Sequence, residues 1–488
     1  MKNNKFEWAL DVKRDGATSC VLLGKVPKGS LPDGNKYRFV LWVLFKQELN
    51  LKKIPPNYRV IYIDYASEED IDKEISNTTL KSLTSLPDLF ISNSILSYKT
   101  EVYNVILDKI QLQFETTQRA RNTRKEEGFL SQTNTIKNLV DYLCGRLATQ
   151  ETLDSDKSAV AVVGAGPSLD NSLPVLKSIQ DRVTIIAVDS TLAALKKNDI
   201  TPDATVSIDA EKPAAQCLPA DMEPGVLFLS SKSPTDWKET NSKRFYLAGN
   251  SLTEDWLQNH GFQKTKIRCT QNCGITAIHI ALELGYSSIY LFGMDNAIDD
   301  DGSGHASNVN LEVSRGSGHN PSGNHPTVAG NYKEEVKTFL KPELYALNEM
   351  LSKKPDKYVV HNVIDRGAKI ENSILIHPEE FKSDGIDCSK RDLQSSLSTG
   401  TTTPEEAQQF IRSRTRKIPP HLLRKLKTSV DQRDLIVNIF QDKDLSGLLG
   451  NLLLKHGPQL LEWNNLDTQE KQAISNEVHD SLSILIDL

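Results

Sequence analysis

The chain has 488 residues, 38% of them hydrophobic and 25% charged, with a formal net charge of −6. Such a composition is globular, and at ~150 residues per domain the length points to about three domains. The charge balance excludes the basic footprint of a nucleic-acid binder, and no run approaches the ~18 apolar residues of a membrane helix.

The six cysteines stand at 20, 144, 217, 269, 273 and 388, and only Cys269 and Cys273 are close. With no CxxC pair, reduced thiols are expected rather than a zinc site or a disulfide framework. The opening MKNNKFEWALDVKRDG has no apolar h-region. A cytoplasmic protein without signal peptide is therefore the expectation.

Residues 1–150 carry runs rich in β-branched and aromatic residues: CVLLG (20–24), RFVLWVLF (38–45), RVIYIDY (59–65) and DLFIS (88–92). These predict strands. Helical spacing follows at Val102, Val105, Ile106 and Ile110, and again at Ile136, Leu139, Val140 and Leu143. The charged stretch 119–128 interrupts the pattern as a solvated helix face or a turn.

Residues 155–385 alternate strand and helix. AVAVV (159–163), VTIIAV (183–188), ATVSI (204–208), VLFLS (226–230), RFYLAG (244–249), SIYLFG (288–293) and YVVHN (358–362) are nearly continuous apolar runs. Strands covered on both faces read this way. The rhythm predicts an α/β, doubly wound, mainly parallel sheet. The polar stretch 389–403 predicts a linker, and 400–488 reads as all-helical. There Thr403, Pro404 and Glu406 form one expected helix start, and Asp467 with Glu470 another.

Four features carry chemistry. The first strand of the central region runs into Gly164, Ala165, Gly166, Pro167 and Ser168. Its glycines permit a sharp turn and close backbone approach, and free N–H groups at the helix start would favour a phosphate. A ligand-free βα turn remains the plain alternative. Asp189 and Asp209 follow the next two strands, where carboxylates meet ligands in a parallel sheet. Helix N-capping is the alternative for Asp189. Asn272, Cys273 and Gly274 open a helix, a second place suited to an anion, and His279 within that helix reads as a core histidine. A long loop, 295–330, carries Asp295, Asp299, Asp300, Asp301, His305, Arg315, His319 and His325. A histidine there suits a general base, and the aspartates either form a solvated loop or hold a divalent metal.

GAGPSL (164–169), AVDS, SIDA and CGITAIHIALELGYSSIYLFGMD (273–295), in this order and spacing, resemble the motility-associated factor (Maf) glycosyltransferases. The same stretch is similar to archaeal 6-hydroxymethylpterin diphosphokinase-like proteins and to bacterial sialyltransferases that use CMP-sialic acid. The resemblance implies a Rossmann-like central domain (155–385) between an α/β N-terminal domain (1–150) and a helical C-terminal domain (400–488). In the sialyltransferases the matching turn holds the CMP phosphate and ribose. Ala165 stands where they have asparagine, and Asp189 and Asp209 where they have asparagines. Their next turn matches Asn272, Cys273 and Gly274, and their general-base histidine matches His325, with His319 as second choice. Asp295 joins the implied donor site.

The implied function is transfer of a nonulosonic acid, of pseudaminic or legionaminic type, from a CMP-sugar to Ser or Thr of flagellin in the cytoplasm. No bound cofactor is implied beyond the CMP-sugar, and a divalent metal stays open. Two other readings remain: a pterin pyrophosphokinase using ATP and Mg²⁺, and a non-enzymatic flagellin-binding scaffold.

Overall fold

The computed structural model describes residues 8–13, 17, 19–25, 36–37, 39–45, 54–63, 87–93, 100–147, 158–309, 325–383, 386, 390–416, 418–428 and 432–488. The chain divides into two compact units, Met1–Asn122 and Thr123–Leu488.

The first unit holds a five-stranded sheet: β1 (Trp8–Val12), β2 (Ser19–Leu23), β3 (Phe39–Phe45), β4 (Tyr58–Ile63) and β5 (Asp88–Ser92). Its order is β1-β5-β2-β3-β4, parallel except for β1, which pairs antiparallel with β5. The four runs read as strands are β2 to β5. β2 and β5 are buried along their whole length, their apolar stretches Cys20–Leu23 and Leu89–Ile91 flanked by buried Ser19, Asp88 and Ser92. Trp42 is buried, and its indole N–H donates to Gly24 O at 2.8 Å, so this large side chain leaves no polar atom unpaired.

Helix α1 runs without a break from Thr100 to Gly145. The charged stretch 119–128 is therefore helical and does not turn the chain.

The second unit is built on an eight-stranded, wholly parallel sheet: β6 (Ala159–Val163), β7 (Thr184–Val188), β8 (Ala204–Ser207), β9 (Val226–Leu229), β10 (Lys243–Tyr246), β11 (Ser288–Phe292), β14 (Val359–Val363) and β15 (Ile374–Ile376). The order is β10-β9-β8-β7-β6-β11-β14-β15. Strands after β6 are added outward to β10, and then the chain returns to the other side of β6 with β11. The direction of winding thus reverses between β6 and β11. At such a switch the loops leaving two neighbouring strands part in opposite directions and open a crevice at the carboxyl ends.

Period-2 alternation in β6 sends Ala159, Ala161 and Val163 into one core and Val160 and Val162 into the other. The first core contains α2 (Leu169–Ile179) through Leu169, Leu173, Leu176 and Ile179. The second contains α3 (Cys273–Glu283) and α4 (Lys341–Ser352). Helices on both faces make the sheet doubly wound, as the sequence predicts.

The C-terminal helices α5 (Pro404–Thr415), α6 (Pro420–Thr428), α7 (Arg433–Gln441), α8 (Gly450–Leu461) and α9 (Thr468–Asp487) extend the core that α2 faces. Both expected capping boxes are formed, Thr403 with Glu406 and Asp467 with Glu470. The polar stretch expected as a linker is packed down, with Leu393 and Leu397 each 2% exposed in the core on the other face. Among the described residues, four strands escaped the sequence reading: β1, β15 and the hairpin of β12 (Thr327–Ala329) and β13 (Glu335–Lys337). The last three are each three residues long and largely unburied, so burial leaves no apolar run to read.

Candidate active site

Two turns meet at the switch. β6 leaves through Gly164–Ser168 into α2, and β11 leaves through Gly293, at φ +62°, to Met294 and Asp295. The Gly164 N–H donates to Phe292 O at 2.8 Å, and the Gly166 N–H donates to Gly293 O at 2.8 Å. A Cβ on Gly164 would lie 2.5 Å from Met294 Sδ and 2.7 Å from Gly293 O. On Gly166 it would lie 2.8 Å from Gly293 O and collide with the Asp295 carboxylate. On Gly274 it would lie 2.8 Å from Met294 Cε. These glycines are therefore demanded by the close packing of the Gly293–Asp295 turn against its neighbours.

Asp295 fills the end of α2. Its carboxylate accepts the Ser168 N–H at 3.1 Å and the Ser168 hydroxyl at 2.7 Å. The expectation of free N–H groups awaiting a phosphate is thus corrected: the anion at this helix start is the protein's own. Ser168 does not cap α2 with its side chain but donates to Asp295. Burial pushes the Asp295 carboxyl up to about 6, against the opposing effect of the Ser168 bonds. Pro167 is buried and Ala165 half-buried, with Ala165 O accepting the Ala306 N–H at 2.9 Å.

Next to this turn, the loop leaving β14 is tied to the loop leaving β11. Arg366 grips Asp365 through two N–H donors at 3.0 Å each and reaches Asp299 at 2.6 Å. Asn171 of α2 donates to Asp365 at 2.6 Å, and Lys333 meets Asp300 at 2.6 Å. Asp301 accepts the Ser303 N–H at 2.8 Å. The loop aspartates proposed for a divalent metal therefore each have a protein partner.

A second group gathers at the ends of β7 and β8. α3 runs antiparallel to the strands, so its N-terminus meets their carboxyl ends. Asn272 caps that helix, accepting the Ile275 N–H at 2.9 Å. The Cys273 thiol lies 3.8 Å from Asp189 Oδ2. Asp189 is fully buried and Asp209 has 41% of its side chain exposed. Asp189 is not a helix cap. Its Oδ1 accepts the neighbouring Ser190 N–H at 2.7 Å.

Lys212 completes the group and was missed in the sequence. Its ammonium lies 3.3 Å from Asp189 Oδ1 and 3.1 Å from Asp209 Oδ2. Only its position three residues after Asp209 hinted at this. Burial raises the Asp189 pKa despite Lys212. Burial opposes ionisation of Asp209 too, but Lys212 and Lys232 overcome it and hold that carboxyl below its ordinary value. Burial would lower Lys212, yet Asp189 and Asp209 raise it well above the usual lysine range. Burial, then Asp189 and Asp209, push the Cys273 thiol well up, so it is a neutral group and not a nucleophile.

Helix α1 supports these loops from behind. Asn134 Nδ2 donates to Ala210 O at 3.2 Å and Lys232 O at 3.0 Å. Asn138 Nδ2 donates to Ser231 O at 3.0 Å and Ser233 O at 2.7 Å. Periodicity could not reveal these amides, because their partners lie 76 to 98 residues downstream.

Of the two candidate histidines, His319 lies outside the described residues. His325 precedes β12, with its ring 6.2 Å from that of Phe339. It is not among the groups gathered around Asp189, Asp209 and Cys273. His279 is satisfied by Arg268 O at 3.2 Å, as a structural histidine should be.

Residues 133–301 match the family model of the 6-hydroxymethylpterin diphosphokinase MptE-like domain. The structure is similar to that of a Maf glycosyltransferase from Magnetospirillum magneticum AMB-1, with a TM-score of 0.55 and 16% identity, over 96% of this chain and 78% of that one. At that identity the likeness is one of fold. A monofunctional alpha-2,3-sialyltransferase from Campylobacter jejuni overlaps 56% of this chain and 100% of its own at 14% identity, but its TM-score of 0.24 carries no conclusion. No curated protein matches the sequence. Residues 133–301 thus resemble an MptE-like domain, and the chain has the fold of a Maf glycosyltransferase, as the sequence resemblance implied.

Proposed function

We propose that the chain is a glycosyltransferase that moves a nonulosonic acid, of pseudaminic or legionaminic type, from its CMP-activated form to a Ser or Thr hydroxyl of flagellin. The observation that carries this reading is the Asp189–Lys212–Asp209 group at the carboxyl ends of adjacent parallel strands, within a fold shared with a Maf glycosyltransferase. That is where an open α/β sheet meets a nucleotide.

The half-exposed, ionised Asp209 accepts hydroxyls of ribose or sugar, and buried Asp189 fixes the geometry behind it. The acceptor hydroxyl attacks the anomeric carbon while His325 takes its proton. The bond from that carbon to the phosphate oxygen breaks, and CMP leaves with the electron pair. Phosphate is a good leaving group, so a general acid is unnecessary, and attack from the opposite face inverts the centre. Asn272, Gly274 and the Gly164–Ser168 turn shape the crevice wall. The C-terminal helices dock the protein acceptor.

His325→Gln tests the chemical role. Transfer falls by ~10²–10⁴-fold, as for a lost general base, while CMP binding by calorimetry is retained. Loss of binding together with transfer would move His325 out of the chemistry and into the donor site.

A second reading is favoured by the match of residues 133–301: a pyrophosphokinase transferring diphosphate from ATP to a hydroxymethylpterin. Release of AMP with pterin, ATP and Mg²⁺, and no reaction with CMP-sugars, would select it.

A further inference from the structure

Asp189, Asp209 and Cys273 bring two oxygens and one sulfur to within 4.8 Å of one another. Two carboxylates and a thiol are a donor set that a borderline cation such as zinc or cadmium accepts. Yet the carboxylates already hold a cation. The Lys212 ammonium stands 3.3 Å from one and 3.1 Å from the other, with only 17% of its side chain exposed. A divalent ion bonded to the same oxygens at ~2 Å would be in contact with that ammonium. Like charges at such range in a half-buried crevice repel strongly, so the residues do not fit a metal while Lys212 is present.

An ammonium has three N–H donors. Two serve Asp189 and Asp209, which leaves one to point elsewhere. Lys212 follows Asp209 on the loop leaving β8, at the carboxyl ends of the strands, and Lys232 adds a second positive field there.

We propose that Lys212 is the resident cation of this crevice: it takes the seat a divalent ion would otherwise occupy, orients Asp189 and Asp209 as its counter-ions, and turns its remaining N–H to the phosphate of the donor. The first two parts stand on geometry alone. The third deepens the transferase reading and rests on it for the identity of the anion.

Cadmium tests the cation seat without any assay of activity. Wild-type protein titrated with Cd²⁺ shows no thiolate-to-metal band in the ultraviolet. Lys212→Ala gains that band and binds Cd²⁺ at least ~100-fold more tightly, the upper range for a change beside a metal site. Adding Cys273→Ser removes the band. A wild-type protein that binds Cd²⁺ through Cys273, or a folded Lys212→Ala that does not, overturns the proposal. Lys212→Met, which keeps most of the side-chain stem, serves if the alanine variant melts early. Wild-type binding of Cd²⁺ through Cys273 overturns the proposal even if neither variant folds.

The phosphate contact is read by comparing CMP with cytidine. Lys212→Met weakens CMP binding at least ~10-fold and leaves cytidine binding unchanged, because only CMP offers the charge. Equal weakening of both overturns the phosphate assignment. If wild type binds neither, the donor reading fails, and the cadmium result still decides the cation seat.

Discussion

The carboxylate of Asp295, at the end of β11, caps α2 across the switch of the sheet by accepting both the N–H and the hydroxyl of Ser168. The strand after the switch thus supplies the anion for the helix before it, 127 residues away in sequence. This locks the glycine turn shut on one side.

Asp295 gives stability a definite pH dependence. Its folded pKa of about 6 exceeds the ordinary 3.8, so the folded protein binds more protons between those values. Stability therefore rises as pH falls from about 6 toward 4, and the burial cost is fully present above 6. Roughly two pKa units correspond to ~3 kcal/mol. Asp295→Asn removes this slope, and Asp295→Ala loses ~1–3 kcal/mol at neutral pH by orphaning Ser168. Urea unfolding between pH 4.5 and 7.5 measures both, and an unchanged slope in Asp295→Asn would reject the assignment.

Gly166→Ala is strongly destabilising. Its Cβ meets Gly293 O at 2.8 Å and the Asp295 carboxylate at closer range, and neither can move without breaking the cap. A cost of ~2–4 kcal/mol is expected, whereas Gly457→Ala, inside α8 with nothing within 4 Å, gains ~0.5–1 kcal/mol. Equal melting temperatures for the two variants would contradict a packed turn.

The two crevice aspartates separate stability from binding. Asp189 is fully buried beside Lys212, so Asp189→Ala costs ~3–5 kcal/mol by leaving that charge half-compensated. Asp209 is 41% exposed, so Asp209→Asn costs under ~1 kcal/mol but weakens nucleotide-sugar binding. Denaturation together with calorimetry distinguishes them. A folded, tight-binding Asp209→Asn would remove that residue from the donor site.

In the C-terminal helices, His456 Nε2 and Lys455 Nζ each approach Glu477 at 2.7 Å. Burial works to raise the Glu477 pKa, but the hydrogen bonds with His456 and Lys455 hold it below the ordinary value. A lowered carboxyl stabilises above its unfolded pKa, and that stability is lost as pH falls through the folded pKa. Glu477→Gln is expected to cost ~1–3 kcal/mol at pH 7 and to flatten the acid limb of the melting curve. An identical acid limb would contradict the pairing.

The parallel sheet was legible because strands buried on both faces leave unbroken apolar runs, and the capping boxes because their partners are three residues apart. The crevice was only half legible. Asp189, Asp209 and Cys273 stood out as strand-end and helix-start residues. Lys212 did not, since only the pairing of β7 with β8 brings Asp189, 23 residues upstream, to its ammonium. Asp295 was read as a ligand group, whereas its partner is Ser168, which no local pattern could show. The glycines of the β6 turn were read as room for a phosphate. Their space is filled by Met294, Gly293 and Asp295.

Intact-mass measurement of flagellin after incubation with the purified protein and CMP-pseudaminic or CMP-legionaminic acid decides whether the chain is a transferase of this kind. A mass increase of one nonulosonic acid per modified site is expected, dependent on donor and strongly reduced with His325→Gln. An unmodified acceptor with either donor, from folded wild-type protein that converts ATP and hydroxymethylpterin to AMP, would contradict the transferase reading.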